Sequence, residues 1–197
     1  MKKLFLLFLF SLSCLTLHAA DKYVVDPGHS NVGFSVKHLV INKVSGRFKD
    51  FTGVIYLDEK DPSQSSVTGI IKAESIDTAN ANRDRDLKGE GFFEVEKYPE
   101  ITFASKKVEK KGESYLVSGT LTMHGVSHEI QLPVAVTGPI KAMGGKMRIG
   151  IETSLTINRQ DYGITWSHAV DGVGLVAGND VQISINAEAV KEEPAQP

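Results

Sequence analysis

The chain has a single cysteine in 197 residues, and it falls in an apolar N-terminal stretch. Lys2 and Lys3 precede an apolar run from Leu4 to Leu17, broken by Ser11 and Ser13, and Leu17-His18-Ala19 places a small residue where cleavage would fall. That order of charge, grease and small residue is the pattern of a secretory signal peptide, expected to cover residues 1–20. A lipidated Cys14 is the minor alternative, because Ser11 stands where such a site usually has leucine. Cleavage after Ala19 or Ala20 leaves no cysteine, which excludes disulfides and thiol chemistry even where export permits them. Past the leader no stretch approaches the roughly 18 apolar residues of a membrane-spanning helix, so no integral span is expected. An excess of either charge is also missing. The formal charge of −2 becomes −4 without Lys2 and Lys3. Mild acidity of this kind speaks against nucleic acid, or an anionic membrane surface, as a partner.

What the chain does have is alternation. Val32, Phe34, Val36 and His38 share one face of a strand read over Ser30–Val40. Tyr115, Val117, Gly119, Leu121 and Met123 share another, as do Ile130 to Val136, Met147 to Ile157 and Val181 to Ala187 at every second position. A period of two is the mark of antiparallel sheet with one buried face. Gly53–Leu57, Val67–Ile76 and Ile101–Val108 bring the count to about eight strands in meander order, with turn chemistry at Asp61-Pro62-Ser63, Lys111-Gly112-Glu113, Gly138-Pro139, Gly144-Gly145 and Gly178-Asn179-Asp180. The fold class is all-β, and an eight-stranded antiparallel up-and-down barrel leaves no edge exposed. One domain over residues 21–190 is expected, followed by a charged, disordered tail from Lys191.

Residues 79–99 interrupt the pattern. Asn82 is the expected cap of a short helix over Arg83–Lys88, ended by Gly89 and Gly91, and an aromatic turn with Phe92, Phe93 and Tyr98 follows. Arg83 with Asp84 reads either as a bidentate pair that latches this helix or as a grip on a ligand head group; Arg159 carries the same two readings. His29 and His38 read as polar contacts near a barrel mouth. His124 and His128 lie four apart on a strand, roughly 13 Å if straight, and no cysteine or spaced acid joins them, so no metal is expected. Gly28-His29-Ser30-Asn31-Val32-Gly33 misses the spacing of a nucleophile elbow, and Gly172-Val173-Gly174 lacks the strand and helix of a dinucleotide fingerprint. Ser30, Gly119, Thr153 and Ala187 are small residues on apolar faces, which favours a cavity over a filled interior.

Five motifs in order then resemble a known family. They are His29-Ser30-x-Val32-x-Phe34-x-Val36-x-His38; Gly46-x-Phe48-x-x-Phe51-x-Gly53; Arg83-Asp84 through Phe92-Phe93 to Tyr98-Pro99-x-Ile101-x-Phe103; Gly119-x-Leu121-Thr122-x-x-Gly125-Val126-Ser127; and Ile157-Asn158-Arg159-x-Asp161-Tyr162-Gly163. Together they resemble the YceI-like, polyisoprenoid-binding exported proteins. The resemblance implies a lipocalin-like barrel with a short helix at one mouth, periplasmic or secreted, holding a long-chain isoprenoid or fatty lipid without any cofactor. Lipid contacts would come from Phe34, Val36, His38, Phe92, Phe93, Phe103, Leu121, Tyr162 and Trp166. His29, Ser30, Arg83, Asp84 and Arg159 would grip the head group or latch the helix. Ser127, where the family often has threonine, departs from the pattern. An enzyme acting on such a lipid, or a filled barrel with an interaction role, remains the alternative, and homodimerisation stays open.

Overall fold

The structure, a computed structural model, describes residues 20–39, 41–142, 144–171 and 174–193. Residues 1–19 of the expected leader, with Cys14, therefore lie outside the described residues, as do Val40, Met143, Gly172 and Val173 of the glycine-rich stretch, and residues 194–197. Among the described residues thirteen strands and one α-helix follow in order: β1 (Asp21–Val25), β2 (Asn31–His38), β3 (Asn42–Phe48), β4 (Phe51–Leu57), β5 (Ser66–Lys72), β6 (Ile76–Asp77), α1 (Ala81–Lys88), β7 (Glu100–Lys111), β8 (Ser114–Met123), β9 (Val126–Lys141), β10 (Met147–Asn158), β11 (Ala169–Val170), β12 (Gly174–Leu175) and β13 (Ala177–Lys191). β1, β4, β5, β7, β8, β9, β10 and β13 hydrogen-bond in that order, and β13 closes the ring on β1 through Tyr23↔Lys191 to Val25↔Ala189. β2, β3 and β6 continue β1, β4 and β5 across the same sheet. The result is the expected eight-stranded antiparallel barrel, with three of its staves broken. Closure of β13 on β1 removes the edges of the main ring, and the two-residue β6 is left as a short edge of its extension.

The breaks keep the inner face apolar. A one-residue offset moves every following side chain to the opposite face of a sheet. Tyr23 and Val25 point inward at odd positions, whereas Val32, Phe34 and Val36 do so at even ones; a 3-10 turn over Pro27–His29 makes the switch. Phe48 gives way to Phe51 across Lys49-Asp50, and Ile71 to Ile76 across a 3-10 turn over Ala73–Ser75. On β7 a bulge between Ser105 and Lys107 changes Phe103 to Val108. The strand expected over Val67–Ile76 is thus two strands.

On the outer face, the first break is tied down by a polar network. Arg148 Nη1 reaches Asp26 Oδ2 at 3.0 Å and Glu188 Oε1 at 2.6 Å. Ser30 Oγ donates to the Asp26 carbonyl at 2.7 Å and accepts from Glu188 N at 3.0 Å. His29, exposed, lies on Asp26 Oδ2 at 3.0 Å.

Other expectations are corrected by the ladder. Gly138-Pro139 is not a turn between strands: β9 runs on to Lys141, and the extra residues are absorbed as an irregularity opposite Arg148 and Gly150. Lys191 belongs to β13, and Glu192 N donates to Lys22 O at 2.8 Å, so the sheet extends past the expected start of the tail. Asn80, not Asn82, caps α1, its side chain accepting from Arg83 N at 3.1 Å.

Two glycines hold aromatic rings rather than opening space. A Cβ on Gly46 would sit 2.4 Å from the Phe34 ring, its cross-strand partner, and one on Gly119 would sit 2.7 Å from the Phe103 ring. Gly69 has no heavy atom nearer than 3.7 Å to its hypothetical Cβ. Gly46→Val is expected to cost about 1–3 kcal/mol by overpacking, read from urea unfolding, whereas Gly69→Ala leaves the midpoint unchanged or raised. Equal midpoints for the two variants would contradict this packing.

The outer network has a pH signature. His29, and next Arg148, hold the Asp26 carboxyl below the usual carboxylate range. A depressed carboxyl contributes stability that is present above its unfolded value and lost as pH falls through that value to the folded one. Asp26→Asn is expected to flatten the acid limb of a stability–pH curve; an unchanged limb would show that the network carries no such linkage.

Candidate functional site

Inside the ring lies a cavity of about 830 Å³, within the range of small-molecule sites. Its wall is built from the inward alternating positions: Phe34 and Val36 of β2, Phe103 of β7, Leu121 of β8, Ile130 and Leu132 of β9, Leu155 of β10, Ile183 and Ile185 of β13. Thr153 interrupts the apolar wall, and its Oγ1 is buried without a partner among the described residues. Towards the end with the short turns, Tyr23, Leu57, Ile149 and Ala189 pack into one buried cluster. The opposite end carries the long connections, residues 78–99, 159–171 and 174–176, and these make its collar.

The collar is assembled from aromatic contacts and hydrogen-bonded arginines. Phe93 meets Phe48 edge-on at 5.7 Å, and Phe48 in turn meets Phe34 at 5.7 Å. Phe92 stacks on Trp166 at 5.1 Å, while Trp166 N donates to Gly91 O at 3.1 Å, joining the two long connections. Arg83 and Asp84 do not pair with each other as expected. Both instead hold Thr78: Arg83 Nε donates to Thr78 Oγ1 at 2.8 Å and Nη2 to Thr78 O at 2.9 Å, and Asp84 Oδ1 accepts from Thr78 N at 2.9 Å. A carboxylate one turn into the helix complements the dipole there and fixes α1 against the end of β6.

Arg159 is only 5% exposed. It donates to the carbonyls of Ile164, Gly178 and Ala177 at 2.8, 3.0 and 3.3 Å and to Asn179 Oδ1 at 3.1 Å, and burial lowers its pKa from the ordinary arginine value. Four acceptors from two segments make it a staple between the 3-10 turn Arg159–Tyr162 and the start of β13.

Of the residues expected at the site, Phe34, Val36, His38, Phe92, Phe93, Phe103, Leu121 and Trp166 line the cavity, together with Arg83 and Arg159. Tyr162 does not. It is 2% exposed in the core beneath the collar, with its hydroxyl pKa raised by burial, and His128 lies edge-on to it at 4.9 Å. His29 and Ser30 belong to the outer network, and Asp84 to the Thr78 latch. Arg85, Asp86 and Glu90 also line the cavity mouth, a role their charges alone did not indicate.

His124 and His128 likewise serve the collar. His124 Nε2 lies 3.2 Å from Glu94 Oε1, its ring packs on Tyr98 at 4.4 Å, and His128 Nε2 lies 2.9 Å from Asp161 O. Removing the staple should loosen this end of the barrel. Arg159→Ala is expected to destabilise by about 2–4 kcal/mol, because buried carbonyls lose charge-assisted partners. Arg159→Lys should recover little, since an ammonium cannot span the same planar set. Full recovery by lysine in urea unfolding would refute a role for the guanidinium geometry.

The YceI-like domain model matches residues 23–189. A UPF0312 protein of Photorhabdus laumondii is 40% identical over 145 residues, covering 73% of this chain and 76% of its own. One from Pectobacterium atrosepticum is 33% identical over 177 residues, covering 90% and 89%. Among solved structures, the Campylobacter jejuni YceI protein superposes with a TM-score of 0.69 at 35% identity, over 80% of this chain and 90% of that one. Burkholderia cenocepacia BcnA gives 0.74 at 24% identity over 83% and 98%. A polyisoprenoid binding domain from Saccharophagus degradans gives 0.63 at 20% over 88% and 99%; these last two likenesses concern the fold alone. From Tyr23 to Ala189, close to the full length of the closed barrel, the chain belongs to the YceI-like domain family.

Proposed function

We propose that this protein is an exported lipid-binding protein that holds a long-chain, isoprenoid-type lipid along the barrel axis, for transport, storage or sequestration. The observation that carries this reading is the cavity of about 830 Å³ with its nearly continuous apolar wall. Burial of hydrocarbon contributes about 0.8 kcal/mol per methylene, so a long chain gains affinity without directional contacts. The Saccharophagus neighbour, a polyisoprenoid binding domain of the same fold, lends support to an isoprenoid, and the leader-like N-terminus supports a periplasmic or secreted location.

Binding is favoured over catalysis by where the polar groups are spent. Arg83 and Arg159 direct donors to Thr78 and to backbone carbonyls, and His124 and His128 are committed to the collar. His38 and Arg85 remain at the cavity surface near the mouth, suited to orient a phosphate or quinone head group. A lost head-group hydrogen bond costs about 0.5–1.5 kcal/mol, small beside the chain's burial, so tolerance of several lipids is part of the proposal.

Organic extraction and mass spectrometry of the purified protein should release a long-chain lipid. Phe34→Asp is expected to abolish retention, while His38→Ala weakens it by about threefold to tenfold. Trp166, the chain's one tryptophan, should shift to the blue on loading of the delipidated protein with a polyprenyl phosphate. Equal retention by both variants would sink the pocket assignment, and an empty extract would sink the lipid.

A further inference from the structure

The hairpin between β2 and β3 turns at the collar end with an unusual composition. Leu39 and Ile41 stand at the turn, where glycine, proline, asparagine or aspartate are usual. Leu39 takes φ 49°, a conformation bulky side chains rarely adopt, and Ile41 is 85% exposed. Isolated exposed apolar residues are ordinary, but this one has company. Leu39 N donates to Val176 O at 3.1 Å, which sets the tip against the loop that carries the exposed Trp166 and Val170. Val176 and Trp166 also line the cavity, so the apolar tip is continuous with the mouth.

Below the tip, Lys37 and Lys43 are directly opposite each other across the β2–β3 ladder, on the outer face. Like charges so placed destabilise a sheet. Neither forms an ion pair among the described residues, although Asp180 borders the same shallow groove of about 240 Å³. Ser35 to Lys49 holds four cations and no acid; Arg47 and Lys49 lie near Asp77, at 3.9 and 3.6 Å. The net charge of the chain spoke against an anionic membrane. A membrane, however, feels charge within a Debye length of its surface, and the charges that flank this tip on the hairpin itself, Lys37 and Lys43, are positive, with the acids Asp86 and Glu90 across the mouth.

We propose that the β2–β3 hairpin is a membrane-docking finger: Ile41 inserts among the head groups of an anionic bilayer while Lys37 and Lys43 contact lipid phosphates. The mouth then faces the bilayer, and a hydrocarbon chain can pass between membrane and cavity without crossing open water. Trp166 at the rim suits the interface, where tryptophan places an apolar body and a polar N–H. The link between docking and cargo rests on the lipid-binding reading; docking itself does not.

Flotation of the purified protein with vesicles of phosphatidylethanolamine and phosphatidylglycerol, against pure phosphatidylcholine, tests the idea. Binding is expected to the anionic vesicles and to fall with salt. Ile41→Ser should reduce it at least tenfold, and Lys43→Glu at least fivefold. Ile140→Ser, at an exposed isoleucine near the other end of the barrel, should leave it unchanged. Because Lys43→Glu removes a cross-strand repulsion, its unfolding midpoint should not fall, which separates lost docking from lost folding. Absence of flotation, flotation unaffected by either hairpin variant, or an equal loss from Ile140→Ser would overturn the proposal. Lipid extracted from the same samples is scored separately: cargo without docking refutes the finger alone, and docking without cargo refutes the lipid-binding reading alone.

Discussion

Side-chain parity is the constraint on which this barrel depends. A closed antiparallel ring satisfies its backbone internally, but it works as a container only if apolar residues face inward along the full length of every stave. Four staves change which positions are apolar partway along, from Val25 to Val32, Phe48 to Phe51, Ile71 to Ile76 and Phe103 to Val108. Each change coincides with an extra turn or bulge. Without these interruptions half of each stave would turn its apolar set to water, and the cavity would lose its wall. The outer network of Asp26, Ser30, Arg148 and Glu188 stabilises the first of these breaks, which explains why residues that look like site candidates stand on the outside.

The same economy governs the collar. Long loops over a hydrocarbon-sized opening would collapse into it or drift away unless their backbone groups were engaged. Arg159 draws two chain segments together through four acceptors, and Thr78 is held from both sides by Arg83 and Asp84. Phe92 on Trp166 and Phe93 on Phe48 add contact across the mouth. Polar residues thus make the apolar compartment reachable by keeping its entrance in shape. Within the charged cluster, Arg83 and Asp84 act in three dimensions as the latch on Thr78.

Much of the fold was legible because burial on one face writes itself into the chain as a period of two. The long faces of β8, β10 and β13 are each uninterrupted, and their alternation runs from end to end. The broken staves were harder: Val67–Ile76 looks continuous because the turn at Ala73–Ser75 contains neither glycine nor proline. Gly46 and Gly119 are the converse case. As a small residue on an apolar face Gly119 hints at empty space, yet Phe103 lies over it as Phe34 lies over Gly46, and which ring covers which glycine depends on register between strands.

The sequence by itself determined the all-β class and the meander order, since these follow from local periodicity and turn chemistry, while Phe34, Val36, Phe103 and Leu121 were expected in the cavity wall through the family resemblance. Only the tertiary structure decided that Tyr162 is core rather than wall, that His29 and Ser30 stay outside, and that Arg83 and Asp84 share Thr78 instead of each other. It also decided that Ile41 stands beside the mouth. Such outcomes depend on ring closure, which brings distant segments together and so leaves no mark on the neighbours of any one residue in the chain.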